Sequence, residues 1–377
     1  MKATFWIAAA VIGYAYVGYP LWLWLRSRWS PRPVRRGAVE PSVAAVIVVR
    51  NEEAVIARKI ENLLALEYPA EKLGIVVISD GSTDGTAAIL QNFATSPASH
   101  QRVRIVLKTT SQGKAAGLND AMKLADSEIL LFTDARQQIE TCALRRLVEN
   151  FADADVGCVS GELLLGDPES GELGKGMGLY WRIEKKIREL ESASGSVVGA
   201  TGAIYCARRA LLDPLPEGTI LDDVLLPMLV VRKNSRVVFD SGARAWDSPN
   251  LGQSREFSRK VRTLSGNYQL LQLAPWLLTL DNPIRFQFVS HKLFRLAVPF
   301  ALVALLLASL FLPQAFYRVA LVSQIAFYGL SLAAMAEVKI GPLSRVADAA
   351  RTFVLLNTAA VVAFVNFVTG RKAIWIR

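Results

Sequence analysis

Apolar residues fall into two kinds of pattern along this chain. Near the ends they form long uncharged blocks, at residues 5–25, 296–317, 319–336 and 352–370. At ~1.5 Å rise per residue, each block is long enough as a helix to cross a hydrocarbon core about 30 Å thick. Between them, short apolar runs alternate with amphipathic stretches. Runs at 44–49, 75–79, 103–107, 129–133 and 156–160 predict strands, and 54–66, 84–94, 114–124 and 142–151 predict helices. Alternating strands and helices imply an α/β domain with a mostly parallel sheet covered on both faces, whose ligands bind at the carboxyl ends of the strands. At 254–273, Phe257, Val261, Leu264, Tyr268 and Leu271 recur at spacings of four and three, while Arg255, Arg259 and Arg262 line another face. This predicts a basic amphipathic helix, lying on a membrane surface or packed against the domain. The chain thus divides into a membrane helix and linker (1–40), an α/β domain (41–250), amphipathic helices (251–295) and C-terminal membrane helices (296–377).

Charge sharpens this division. The net charge is +10 over 377 residues, and Arg26, Arg28, Arg32, Arg35 and Arg36 directly follow the first apolar block. That asymmetry is the positive-inside signature, with the N-terminus outside and residue 26 onward in the cytoplasm. Nucleic-acid binding would need a basic face interleaved with aromatics on the folded domain, and none is legible there. A signal peptide fits poorly, because only Lys2 precedes the apolar run. Residues 26–41, with Pro31, Pro33 and Pro41, read as a basic linker near anionic headgroups. Four crossings would leave Arg371, Lys372 and Arg377 outside, so either the tail tolerates that side or one segment, the last with Asn357 and Asn366, is re-entrant. Cys142, Cys158 and Cys206 are scattered, and His100 and His291 are the only histidines. Zinc sites and histidine-based triads are excluded, and buried thiols in a reducing compartment are expected.

Candidate chemistry gathers at the predicted strand ends. The first strand runs out through Arg50, Asn51 and Glu52, and the second through Asp80-Gly81-Ser82-Thr83-Asp84-Gly85. Asp80 is positioned to accept from a base N–H, and Asp84 to cap the next helix. The latter string mimics the start of a calcium loop, but Gln91 stands where a bidentate Glu is required. Further on come Gly113-Lys114-Ala115-Ala116-Gly117-Leu118-Asn119, Phe132-Thr133-Asp134-Ala135-Arg136, Gly199-Ala200-Thr201-Gly202-Ala203 and Leu221-Asp222-Asp223. Neighbouring side chains on a helix diverge by about 100°, so Asp222 and Asp223 have different roles, unless both only complement the helix N-terminus.

In order and spacing these motifs resemble the family 2 glycosyltransferases of the GT-A fold, including membrane-bound bacterial members that make polysaccharides. The resemblance covers about residues 44–269. It implies that Arg50, Asn51, Glu52, Asp80, Lys114, Asp134 and Arg136 face the donor nucleotide, and that Asp134 holds Mg²⁺ or Mn²⁺. It implies Asp223 as the catalytic base with Asp222 as its structural partner, and one displacement with inversion. Gly202 belongs either to a segment near the donor sugar or to a tight turn. Arg136 replaces the usual second acidic residue of the metal motif. Where processive members carry QxxRW, this chain has Arg259-Lys260-Val261-Arg262-Thr263. Arg259 and Arg262 would then lie on the diphosphate and acceptor side, without the tryptophan platform. The expected activity is transfer from a UDP-sugar to a lipid-linked or growing glycan acceptor at the bacterial inner membrane, with the catalytic domain cytoplasmic and no nucleic-acid partner. The alternatives are a polyprenyl-phosphate sugar synthase and a catalytically silent membrane scaffold.

Overall fold

The computed structural model describes residues 1–96, 101–166, 179–247, 253–338 and 341–370. Its centre is an eight-stranded sheet of order β3-β2-β1-β4-β7-β6-β8-β5. The strands are β1 (Val43–Val49), β2 (Leu73–Asp80), β3 (Val103–Lys108), β4 (Ile129–Phe132), β5 (Gln138–Ile139), β6 (Val156–Leu165), β7 (Tyr205–Arg208) and β8 (Arg236–Asp247).

One half of the sheet is wholly parallel. β1 pairs with β2 from Val43↔Leu73 to Val49↔Ser79, β2 pairs with β3, and β1 pairs on its other side with β4. All seven residues of β1 are buried, as expected of a strand covered on both faces. Alternate side chains go to opposite layers: Ala44, Val46 and Val48 pack with Ala115, Leu118 and Ala121 of the helix Lys114–Leu124. Val43, Ala45, Ile47 and Val49 pack with Ile56, Ile60 and Leu63 of the helix Ile56–Leu64. Crossovers leave β1 to either side, so the crevice of a doubly wound sheet opens at the carboxyl ends of β1 and β4.

The other half is mixed. β7 runs antiparallel between β4 and β6, while β6 and β8 are parallel and the two-residue β5 closes the edge antiparallel to β8. The sequence pattern did not predict β5, β7 or β8. β5 and β7 are too short to show a period. β8 is interrupted: Ser160 faces Phe239 and Glu162 faces Arg244, so the Asp240-Ser241-Gly242 stretch bulges out of register. The helix Leu179–Ser194 was also not predicted. It buries Glu184 and Glu191 beside Ile187 and leaves Ile183 exposed, the reverse of an ordinary amphipathic stripe.

Four helices are long and apolar enough to cross a membrane: Lys2–Trp29, Arg285–Leu310, Ala315–Met335 and Ser344–Val368. The block expected at 296–317 is cut by a turn, because Pro313 disfavours helical geometry in the residue before it and Gln314 is extended. Phe5 packs with Ala308, Leu312 and Tyr317 at one end of the bundle. Tyr19 and Leu23 pack with Ile187 at the end that meets the α/β domain. There Arg26 and Arg28 stack over Trp22 and Trp24. The linker beyond them is tied to the α/β domain: Arg32 pairs with Asp155 at 3.7 Å and Arg36 with Asp240 at 3.1 Å. Its backbone is pinned as well, through Arg32 N to Ala193 O and Gly37 N to Glu149 O.

The helix Gln253–Leu273 is packed between the α/β domain and the last helix. On one side Gly266 lies so close to Leu221 that a Cβ there would come within 2.5 Å of Leu221 Cγ. On the other, Tyr268 meets Phe364 and Phe367 of the last helix, with ring centroids 5.7 and 5.5 Å away. Arg371, Lys372 and Arg377 lie outside the described residues.

Candidate active site

The loops after β1 and β2 are laced together at the sheet's carboxyl edge. Asn51 adopts a positive φ of 55°, which asparagine tolerates better than most residues. Its Oδ1 accepts from Thr83 N at 2.8 Å, and its own N–H donates to Ser82 Oγ at 3.2 Å. Glu53 Oε2 accepts from Gly85 N, and Asp84 accepts from Glu53 N and Thr86 N. Asp84 therefore caps the helix Thr86–Thr95 from one residue before its N-cap, Gly85. Glu52 reaches Arg136 Nη2 at 3.4 Å, an ion pair in contact with solvent.

Asp80 is 2 % exposed and already committed. Ser111 Oγ, Gln112 N and Gly113 N donate to it at 2.7, 2.8 and 2.9 Å. Burial alone would raise its pKa, but these bonds to the charged form outweigh it and hold the carboxyl below its ordinary value. Asp80 thus builds the loop that delivers Lys114, and any nucleotide contact would use lone pairs left over from that task. Arg50 stands half-buried at the end of β1.

Lys114 joins the acidic motifs. Its Nζ lies 2.9 Å from Asp134 Oδ1 and 3.1 Å from Asp222 Oδ2. Burial opposes its charge, yet Asp134 and Asp222 outweigh that cost and raise its pKa. Asn119, further along the same helix, holds both the N–H and the carbonyl of Leu215, at 2.8 and 2.9 Å, and so anchors the segment leading to Asp222.

Asp222 and Asp223 open the helix Asp222–Arg232. They diverge as helical geometry requires: Asp222 turns inward to Lys114, while Asp223 Oδ2 accepts from Gly202 N at 3.2 Å. Ala200 N donates to the Asp223 carbonyl at 2.7 Å. The Gly199–Gly202 segment is therefore moulded onto Asp223, with Gly199 at φ +90°, where a Cβ would also crowd Val224. A Cβ on Gly202 would lie 3.4 Å from Asp134 Oδ2 and 3.5 Å from Asp223 Oδ2. The two carboxylates thus face one small gap, kept open by the absence of a side chain. Burial, then the adjacent Asp222 charge, push the Asp223 pKa up to about 6 against the opposing pull of Lys114 and Lys292. At that value it is a better proton acceptor than an ordinary aspartate.

Lys59 was missed by sequence reasoning. It is 1 % exposed, and its Nζ donates to Thr133 Oγ1 and to Gln137 O, both at 2.8 Å. Thr133 Oγ1 in turn donates to Ala203 O at 2.7 Å. One ammonium thereby fixes both flanks of Asp134 and ties them to the Gly202 segment. Burial lowers its pKa to about 7 despite the Asp134 charge. Its signal was in the pattern: Lys59 occupies the apolar stripe formed by Ile56, Ile60 and Leu63.

Gln137 Nε2 donates to Asp247 Oδ2 at 2.9 Å, and Arg259 Nη1 stands 3.9 Å from the same oxygen. Arg259 is therefore linked to the metal-motif loop through a carboxylate. Arg262 lies on the same helix, half-buried.

A divalent cation fits this donor set in a limited way. Among the described residues no group of three or more His, Cys, Asp or Glu side chains is arranged to hold a metal. Asp134 keeps Oδ2 facing the Gly202 gap while Lys114 holds Oδ1. One carboxylate suffices for Mg²⁺ when substrate phosphates and waters complete the shell.

Comparison with known proteins agrees with this geometry. The chain is 30% identical over 189 residues to a beta-monoglucosyldiacylglycerol synthase of a Nostoc species, covering 49% of this chain and 40% of that protein. It is 23% identical over 239 residues to a poly-beta-1,6-N-acetyl-D-glucosamine synthase of Staphylococcus epidermidis, covering 62% and 56%. The chain therefore spans about two fifths of the first relative's length and over half of the second's. A solved mannosyltransferase of Pyrobaculum calidifontis, in complex with GDP-Man and Mn²⁺, superposes with a TM-score of 0.73 over 98% of this chain and 100% of its own, at 22% identity. That likeness shows a shared fold. Residues 44–213 match the family described as Glycosyl transferase family 2, and with strands, loops and acidic tips arranged as above, this part of the chain is a family 2 glycosyltransferase domain of GT-A fold.

Proposed function

We propose that the chain is an inverting, metal-assisted glycosyltransferase that moves a sugar from a nucleotide-sugar, a UDP-sugar by family resemblance, to a lipid-linked or growing glycan acceptor. The observation that carries this reading is the shared gap at Gly202, where Asp134 Oδ2 and Asp223 Oδ2 face each other's side of one small space. The domain limits follow the same reading: membrane helix and linker at 1–40, transferase domain at 41–250, interfacial helices at 251–295 and membrane helices at 296–377. The stacking of Arg26 and Arg28 on Trp22 and Trp24 supports a cytoplasmic transferase domain on a multi-pass protein of the bacterial inner membrane.

In this mechanism the loops ending β1 and β2, with Arg50, Asn51, Glu52 and the Asp80-braced turn, hold the nucleotide. Asp134 would hold a Mg²⁺ or Mn²⁺ ion, which would supply positive charge to the leaving diphosphate. Lys114 keeps Asp134 and Asp222 oriented and adds its own charge on that side. Arg136 and Arg262 complete the cationic surroundings of the phosphates, and Arg259 keeps the Asp247 side of the loop in register. Asp223, aimed by Gly202 N–H, takes the proton of the acceptor hydroxyl as its oxygen bonds to the anomeric carbon. The Lys59 ammonium holds Thr133 and Gln137, so Asp134 does not swing as the diphosphate departs.

The test is a donor screen of the detergent-purified chain in native lipid extract, with mass analysis of lipid and glycan products. A sugar in glycosidic linkage to a lipid or glycan is expected. A product that is only a lipid-phosphate sugar would instead identify a polyprenyl-phosphate sugar synthase. Neither transfer nor donor hydrolysis across UDP- and GDP-sugars would identify a silent scaffold.

A further inference from the structure

On its membrane side, the segment that shapes the Gly202 gap is joined to two membrane helices through a buried carboxylate. Glu191, 1 % exposed, stands in the last turn of the helix Leu179–Ser194. Its Oε1 accepts from the Tyr19 hydroxyl of the first membrane helix at 2.6 Å and lies 2.8 Å from Nδ1 of His291, on the second. His291 Nε2 is in turn 2.8 Å from Glu184 Oε1, and Arg295 Nη1 binds the other Glu184 oxygen. The same two membrane helices also meet through the Tyr14 and Ser290 hydroxyls, 2.7 Å apart.

The other oxygen of Glu191 faces the transferase domain. Its Oε2 accepts from Val198 N at 3.3 Å. Before that residue the chain is fixed to β8: Phe239 N donates to Ser192 Oγ, Val237 N to Ser196 Oγ, and Val197 N to Val237 O. After it the chain is fixed around Asp223, with Ala200 N on the Asp223 carbonyl, Thr201 N on Ser160 Oγ and Gly202 N on Asp223 Oδ2. Val198 is thus where a contact from the membrane helices enters the segment. Gly199, the residue between Val198 and Ala200, already sits at φ +90°, so a displacement of Val198 passes to Ala200 and Gly202 with little slack to absorb it.

A buried carboxylate is a poor choice for stability alone, because its desolvation offsets much of what its partners return. An apolar side chain could pack against Tyr19, Leu23 and Ile187, which already form an apolar cluster. It could not accept from Val198 N, and a charged acceptor makes that bond stronger than a neutral one would. We propose that Glu191 is a positioning residue for sugar transfer, through which the first two membrane helices set the Gly199–Gly202 segment against Asp223. This rests on the glycosyltransferase reading above. The consequence is that alignment of the base depends on how those helices pack, while the nucleotide loops at β1 and β2 do not.

The experiment uses the full chain in detergent and two near-isosteric variants, Tyr19→Phe and Glu191→Gln, with their double variant. Hydrogen exchange is read by mass spectrometry in peptides covering 198–202 and, as controls, 43–49 and 110–114. Transfer is measured with the donor that the screen above identifies, and UDP and GDP binding by calorimetry. Each single variant should speed exchange at 198–202 by about tenfold, as expected for loss of a hydrogen bond to a buried charge, with the controls unchanged. Each should lower kcat by about tenfold and leave the donor KM and nucleotide affinity as in the wild type. The double variant should be no slower than Glu191→Gln, because Tyr19 acts through Glu191. Should Glu191→Gln fail to fold, Tyr19→Phe, which removes one oxygen atom, decides by its exchange and kcat. Unchanged exchange at 198–202 in Tyr19→Phe would overturn the proposal, as would additive losses in the double variant. A lowered melting temperature with wild-type kcat would also overturn it, by leaving Glu191 a purely structural role. Absence of any transfer by the wild type would count against the glycosyltransferase reading, and the exchange data would still decide whether the membrane helices hold the segment.

Discussion

The two sides of Asp223 are built differently. On the donor side, charges are matched where the strand-end loops meet the first residues of two helices: Asp80 with the 111–113 turn, Glu53 with Gly85, Lys114 with Asp134 and Asp222. On the membrane side, the partners come from within two helices, with Glu184 and Glu191 from one meeting His291 and Arg295 from a membrane span. The donor side is a preassembled frame whose own carboxylates already hold its lysine. On the membrane side a buried histidine is held between two glutamates that also bind Tyr19 and Arg295.

The sharpest way to break this contrast is at the carboxylate between the two sides. Asp223→Asn should reduce transfer by about 10³-fold, within the usual range for loss of a general base, while nucleotide binding by calorimetry stays unchanged. Transfer within tenfold of wild type would remove Asp223 from the mechanism. Lys114→Met should come next. It separates Asp134 from Asp222 and leaves the nearly buried Asp222 charge unpaired, costing about 3 kcal/mol of stability and about 10²-fold in transfer. A thermal melt and a rate assay on the same preparation check both, and an unshifted melt would show that the triad is not a structural tie.

The pH profile is a gentler test. Because Asp223 is raised to about 6, it must be ionised to accept a proton, so kcat/KM should be flat above that pH and fall tenfold per unit below it. A profile still flat down to pH 5 would contradict this environment. The smallest effect is expected at Lys59. Its pKa is about 7 when folded against 10.5 for the free group. The unfolded chain therefore binds the extra proton between those values, so stability should rise as pH increases from about 7 to 10.5, and this gain should be absent below 7. Lys59→Met should flatten that slope and lower turnover by about tenfold or less, measured by denaturation midpoints across that window. Equal slopes in variant and wild type would exclude Lys59 as their source.

The donor side was legible in the sequence because its chemistry sits on strand ends, where apolar runs stop abruptly at Arg50, Asp80 and Asp134. The parallel strands read clearly because burial on both faces makes each an unbroken apolar run, as in β1. The mixed half of the sheet and the helix Leu179–Ser194 were opaque for physical reasons. The helix Leu179–Ser194 points glutamates inward, β7 has only four residues, and β8 is broken by its bulge, so none carries a clean period. Lys59 lay in plain view as a charge on an apolar stripe, but only its two acceptors, Thr133 and Gln137, reveal its use.

The account's central claim is a single displacement with Asp223 as base. Its most direct test is the anomeric configuration of the transferred sugar, read by NMR of the product formed from an α-configured nucleotide-sugar. A β-linked product is expected. An α-linked product, formed with retention, would contradict the claim.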